Sequence, residues 1–467
     1  MNEWKGNNAP QIDELVFRYE TNAKKGIALF LDERSFFKLI EFYEQEQQLD
    51  KALEVANQAI SRYMFSIDFY LRKAELLIDM SKEEGAIEIL NEANTFAPGQ
   101  LEISLLKAEA LAYLERKDEA LALLDTCKLK DGNPKTLSEI YLLESLVHEY
   151  NQDHELMFTV LSKAIKNNPR HEEVLERLWL AVELNRKYKE SIDLHKAVID
   201  AHPYSHMAWY NLGHAHAYFG DYENAIDAYE FSFAINPKFD YAYRDCADLC
   251  FETKQYKKAL GYYLEILNNA ETEGDLFQKI GECHQQLGSC KKAANYFRQA
   301  LKMNPLNDEV YFHYAQCYVH QNKWEGAAHY FKKAIEIEDR REEYFIALAE
   351  AQFQLTQYAD AETNYRKAVE IAPEESVYWL NYASFLIATE RIEDAKALLN
   401  VAEVSSDISV LQFGQIACLF KLGQRKEACQ RLWEALEEDF NHHGIIFELI
   451  PELESDIEIQ TINSAYR

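Results

Sequence analysis

The chain has 467 residues, 48% of them hydrophobic, and a formal net charge of −30. That length exceeds what one compact core organises, and 15 glycines with 9 prolines supply too few turn residues for an all-β fold. The negative charge argues against nucleic acid and anionic membranes as partners, because phosphate contacts rely on Lys and Arg.

The first twenty residues, "MNEWKGNNAPQIDELVFRYE", have no basic stretch ahead of an apolar run, so no signal peptide is expected. No apolar stretch reaches the ~18–20 residues that would cross a bilayer. Within residues 1–32, "QIDELVFRYETNAKKGIALF" predicts a leading helix that caps the rest of the chain.

From residue 33 the chain becomes periodic. Ala52, Ala86 and Ala120 lie 34 residues apart, and so do Ala225, Ala259, Ala293, Ala327, Ala361 and Ala395. A period of that length marks a stacked repeat array. Units are predicted to start at 33, 67, 101, 138, 172, 206, 240, 274, 308, 342, 376 and 409. The insertion "KLKDGNPK" after the third unit suggests a seam. It would divide the chain into sub-arrays 33–137 and 138–442, with capping helices in 443–467. Beyond the seam, Met157 and Ser191 replace the periodic alanine and Trp179 replaces a small residue.

Each unit reads as two amphipathic helices. In the unit at 206, Trp209, Leu212, Gly213 and His216 fall at i, i+3, i+4 and i+7 on one face, with Trp209 as a core anchor. "FGDY" breaks the pattern, Ile226, Tyr229 and Phe233 face inward from the second helix, and Pro237 follows its end. Small residues recur where the two helices must approach: Gly213, Ala247, Gly281, Ala315, Ala349 and Ala383. Ile40 and Ile416 hold that slot in the two outermost units.

Trp, Leu-Gly, Ala, Tyr and Pro in fixed places (Trp209, Leu212, Gly213, Ala225, Tyr229, Pro237) resemble the tetratricopeptide repeat, with His216 in the usual tyrosine slot. The resemblance covers about residues 33–442, and it is to a long array of bacterial type made wholly of such repeats. It implies an all-α, right-handed superhelical α-solenoid of about twelve helix-turn-helix repeats. The stacked first helices would then line a concave groove for a peptide or a helix of another protein.

Catalytic and metal chemistry are weakly signalled. His214 and His216, two apart on one helix, point to different faces and cannot chelate one ion. The eight cysteines (Cys127, Cys246, Cys250, Cys283, Cys290, Cys317, Cys418, Cys429) make no C-x-x-C pair and read as reduced, mostly buried thiols of a cytoplasmic protein. No glycine-rich phosphate loop, G-x-S-x-G elbow or H-E-x-x-H pair is present. No catalytic residue, metal or cofactor is therefore assigned.

What remains is surface. The groove-facing register selects Tyr210, Asn211, His214 and Tyr218 in one unit and Tyr241, Arg244, Asp248 and Phe251 in the next. Further along it selects Phe312, His313, Gln316 and His320. Aromatic and amide side chains on one face suit an extended peptide. An acidic slot (Glu41, Glu75, Glu109, Asp248, Glu282, Glu350) adds a preference for basic segments. The expectation is a non-catalytic scaffold or adaptor for other proteins with basic or extended segments, and neither nucleic acid nor membrane as partner. A peptide-sensing regulator and an accessory subunit of an enzyme complex are the alternatives.

Overall fold

The structure is a computed structural model that describes residues 9–25, 29–269, 274–402 and 408–464. Parts of the leading stretch and of the tail lie outside the described residues. Every regular element among the described residues is helical. The chain forms two compact units, Met1–Ala242 and Tyr243–Arg467.

The first unit opens with α1 (Ala9–Lys24), followed by α2 (Glu33–Gln45), α3 (Leu49–Arg62), α4 (Ile67–Asp79) and α5 (Glu83–Phe96). Next come α6 (Leu101–Tyr113), α7 (Lys117–Lys130), α8 (Pro134–Tyr150) and α9 (His154–Asn167). It closes with α10 (Glu172–Asn185), α11 (Tyr188–Ala201), α12 (His206–Tyr218) and α13 (Tyr222–Ile235). The second unit takes up the chain within α14 (Asp240–Glu252) and continues through α15 (Tyr256–Asn269), α16 (Gly274–Gln286) and α17 (Cys290–Met303). Then come α18 (Asp308–Val319), α19 (Trp324–Ile337), α20 (Glu342–Gln354) and α21 (Tyr358–Ile371). The last full pairs are α22 (Ser376–Ala388) with α23 (Ile392–Ala402) and α24 (Ile408–Lys421) with α25 (Arg425–Glu438).

First helices begin where the period places them in ten of the twelve pairs. The exceptions are α8 and α24, which start at Pro134 and Ile408. The early start of α8 has a local cause. Asn133 caps it by accepting from the Lys135 N–H, and Pro134 sits in the first turn, where its missing N–H costs nothing. Part of the insertion is thus helix.

The core follows from the small residues. All nine periodic alanines are fully buried, and Met157 and Ser191 are equally buried in the same slot. At the crossing of the paired helices, a Cβ added to Gly213 would lie 2.6 Å from the Tyr229 ring, and one added to Gly281 would lie 2.6 Å from Phe297. These side chains fill the space that a larger residue would need. Trp209 is only partly buried: it stacks on Phe231 at 4.6 Å and donates from Nε1 to the Pro203 carbonyl at 2.9 Å. Trp379 makes the same bond to Pro373 but is buried. The tryptophan at this slot fastens the helix to its preceding turn, and only the second of the two is a core anchor.

One turn geometry closes every pair. Gln47, Ser81, Glu115, Gln152, Arg186, Gly220, Lys254, Gly288, Asn322, Thr356, Glu390 and Gly423 all have φ between 54° and 75°. Each follows a first helix, and the next N–H bonds back across the turn, as from Gln48 to Tyr43, Lys323 to Tyr318 and Gln357 to Gln352. This satisfies carbonyls that a helix end would otherwise leave orphaned. Nine of the twelve turn residues carry a side chain, although the left-handed region favours glycine.

The tail continues the last pair. From α26 (Gly444–Leu449) and α27 (Ile457–Ser464), Ile446, Ile459 and Ile462 join Phe413, Ile416 and Leu432 in one apolar cluster. Arg425 clamps the tail through Asp456 and Glu458, each at 2.8 Å.

Candidate interaction surfaces

In the first unit the sequence-selected residues divide between core and surface. Tyr210 and His214 lie on one face of α12 with ring centroids 4.5 Å apart, partly buried. Trp179 from α10 packs on His214 at 4.2 Å, and Phe239 meets the edge of Tyr210 at 5.0 Å. The bulky residue that broke the small-residue rule at 179 is thus one wall of an aromatic cluster. Tyr218 is 53% exposed and stacks on Tyr188 at 3.6 Å, and Tyr241 is 68% exposed near Phe239.

Asn211 belongs elsewhere. It is fully buried and so is not among the surface side chains that the register suggested. Its Nδ2 donates to the Leu175 carbonyl at 2.9 Å and approaches His195 Nε2 at 3.2 Å. His195 Nδ1 lies 2.8 Å from the Ser191 carbonyl. A carbonyl only accepts, so Nδ1 carries the proton and Nε2 accepts from Asn211. Burial pushes the His195 imidazole down to about 4, which keeps this tautomer neutral. Asn211 therefore ties α10, α11 and α12 together. The helix crossing took precedence over the groove at this position.

In the second unit, Arg244, Asp248 and Phe251 lie on α14, each partly buried. Asp248 accepts from the Tyr263 hydroxyl, and the Lys279 ammonium lies 5.8 Å from the centre of the Phe251 ring. Phe312 packs on Tyr344 at 4.7 Å and on Phe331 at 5.5 Å. His313 stacks on Phe297 at 5.9 Å, with Nε2 3.8 Å from Glu282. Gln316 and His320 are brought into one cavity. The selected residues thus fall in the two units separately.

That cavity, of about 730 Å³, opens across the first helices α16, α18 and α20. Gln285, Gln316, Val319, His320, Glu350 and Phe353 line it, and Phe331 reaches in from α19. Gln285 donates from Nε2 to Gln316 Oε1 at 2.6 Å, linking neighbouring repeats. Solvent reaches Glu350, yet the protein around it raises its carboxyl above the ordinary range by desolvation. Sequence reasoning found Gln316 and His320 as groove residues but omitted Gln285 and Phe353. The signal was available: Gln285, Val319 and Phe353 recur 34 residues apart, as do Gln286, His320 and Gln354. All six line the cavity.

His216, the last of the three α12 histidines, also has a structural partner. His216 Nδ1 lies 2.9 Å from Asp221 Oδ2 across the turn, and Asp221 sits below the usual carboxylate range because Asn224 and His216 hydrogen-bond it. All eight cysteines are free thiols, with only Cys290 and Cys429 partly exposed. Burial raises Cys283, Cys317 and Cys418 to about 12. Among the described residues, no three or more His, Cys, Asp or Glu side chains group as metal ligands. No helix of the described residues is long and apolar enough to cross a membrane.

Family models described as tetratricopeptide repeat match residues 206–239, 280–341 and 352–403. No curated protein matches the chain. Among solved structures it is similar to YrrB, described as a TPR protein with an unusual peptide-binding site. The identity is 18% and the TM-score 0.35, over 39% of this chain and 95% of that one. It is also similar to a tetratricopeptide repeat protein from Parabacteroides merdae (15% identity, TM-score 0.37, 53% of this chain and 98% of that one). For the APC/C hetero-tetramer Cut9–Hcn1 the identity is 12% and the TM-score 0.37, over 99% of this chain and 95% of that one. Helix pairs that keep a 34-residue period, close with one turn and match these family models at three places lead to one conclusion: the chain contains tetratricopeptide repeats.

Proposed function

We propose that this protein is a non-catalytic scaffold whose first-helix face receives an extended segment of a partner protein. A repeat fold of this kind supports protein–protein interaction in general. The cavity across α16, α18 and α20 is the observation that carries the specific reading. Three successive first helices wall it, so a partner segment orders against packed helices and loses less free energy in doing so. An amide pair in the wall, Gln285 with Gln316, offers the donor and acceptor chemistry that a main chain requires. Eight free thiols support a reducing, cytoplasmic setting. Helix pairs fill the described chain from 33 to 438, so we assign it no catalytic step of its own.

A photo-crosslinking residue tests this when placed at His320, inside the cavity, or at exposed Lys332 on the second helix α19. The expected outcome is a defined crosslinked partner from position 320 and none from 332. Crosslinking to the same partner from 332 alone would move the interaction to the outer helices and refute the reading.

A further inference from the structure

The cavity across α16, α18 and α20 holds two acceptors that no donor of the protein meets. Gln285 gives its Nε2 proton to Gln316, while its Oε1 is a buried acceptor with no partner. Glu350 lines the same cavity, and no cation among the described residues pairs with it. It differs in this from two acids at the same register. Glu75 is held by Arg72 at 2.8 Å, and Glu282 accepts from Gln278 at 2.9 Å and faces His313. At the start of α18, Glu309 is taken up by Arg341 at 2.8 Å. Val319, Phe331, Ala347 and Phe353 give the same cavity an apolar side.

An apolar trough that leads to a carboxylate and an amide oxygen matches a side chain with a hydrocarbon stem and a cationic, donor-only head. Resting on the groove reading, we infer that the cavity takes a lysine or arginine side chain of the extended partner segment. The stem lies along Val319 and Phe353, and the head donates to Glu350 and Gln285 Oε1. An acidic segment would bring like charge to Glu350 and leave both acceptors unmet. About 730 Å³ falls within the range of pockets that bury a compact ligand group.

The test is a random linear heptapeptide library displayed on phage and panned against the full chain. Selected peptides are resynthesised with a fluorophore and measured by anisotropy. Expected sequences share one lysine or arginine. Replacing it with neutral norleucine should weaken binding to the native protein by at least about tenfold, but by less than about twofold in Glu350→Gln. Glu350→Arg should reverse the preference towards acidic peptides. Glu350→Gln is near-isosteric at a solvent-reached position, so its thermal midpoint should match that of the native chain, which separates lost binding from lost folding. Peptides that bind natively and respond to Phe353→Ala, but show no norleucine effect, would overturn the cationic inference and leave the groove reading standing. Peptides indifferent to both Phe353→Ala and Glu350→Gln would overturn the groove reading itself. A library that yields no binder tighter than about 100 µM counts against both.

Discussion

His195→Gln removes a proton-binding group from a sealed part of the core, and the consequence is a stability difference that depends on pH. In the native chain His195 is neutral, donating from Nδ1 to the Ser191 carbonyl and accepting from Asn211 at Nε2. Protonating Nε2 would aim its N–H at the Asn211 amide donors in a fully buried site. The imidazole is accordingly pushed from 6.5 down to about 4 by burial. Because the folded value is the lower one, the unfolded chain takes up the proton first as pH falls. The neutral histidine's contribution is therefore complete above pH 6.5 and is lost progressively down to about pH 4. The loss amounts to about 2 kcal/mol by pH 5 and about 3 kcal/mol at pH 4. Contacts in such an array are between neighbours, so the loss is local, and hydrogen exchange followed by mass spectrometry reads it better than a global melt. Protection of α10, α11 and α12, corrected for the intrinsic exchange rate, should fall by this amount between pH 7.5 and 5 in the native protein. It should stay nearly level in His195→Gln. Equal pH slopes in the two proteins would refute the tautomer and the burial argument together.

Thr356 is an exposed, β-branched residue at φ 59°, so Thr356→Gly should stabilise the chain by about 0.5–1 kcal/mol in urea titration. The reverse change at Gly288, where a Cβ meets nothing within 4 Å, should cost about 1 kcal/mol through the backbone alone. Trp379→Ala should destabilise by about 3–5 kcal/mol, whereas partly exposed Trp209→Ala should cost about 2 kcal/mol, both read from denaturant midpoints. Thiol titration of the native protein should find no more than two reactive groups, Cys290 and Cys429, against all eight after unfolding.

Repeat boundaries were legible to the residue wherever the alanine and small-residue slots held, because those slots are helix contacts and the contacts set the spacing. They slipped at α8, where an Asn-Pro pair earlier in the insertion supplied a better start than periodicity predicted. The surface was harder to read. Register identifies the side of a helix from which a side chain departs, but not whether a neighbouring helix covers it. Asn211 leaves α12 on the expected side and is enclosed by Leu175 and His195. Glu350 leaves α20 in the slot where Glu75 finds Arg72, and finds no cation among the described residues. Both outcomes depend on partners 15 or more residues away, which no single repeat encodes.

The turn that closes each pair also makes the chain divisible. Its bond runs between backbone groups of one pair, and eight residue types occupy the left-handed position. The turn therefore places little demand on the sequence of neighbouring pairs. Excision of residues 308–341 would join Asn307 to Glu342, and the Asn307 side chain that now accepts from the Val310 N–H would meet the corresponding N–H of Tyr344. Helicity per residue should survive the cut, while Gln316, Val319 and His320, and the cavity with them, would be gone. Fold and recognition in this protein are thus written at different lengths. Any run of stacked pairs serves the first, and three particular pairs in succession are needed for the second.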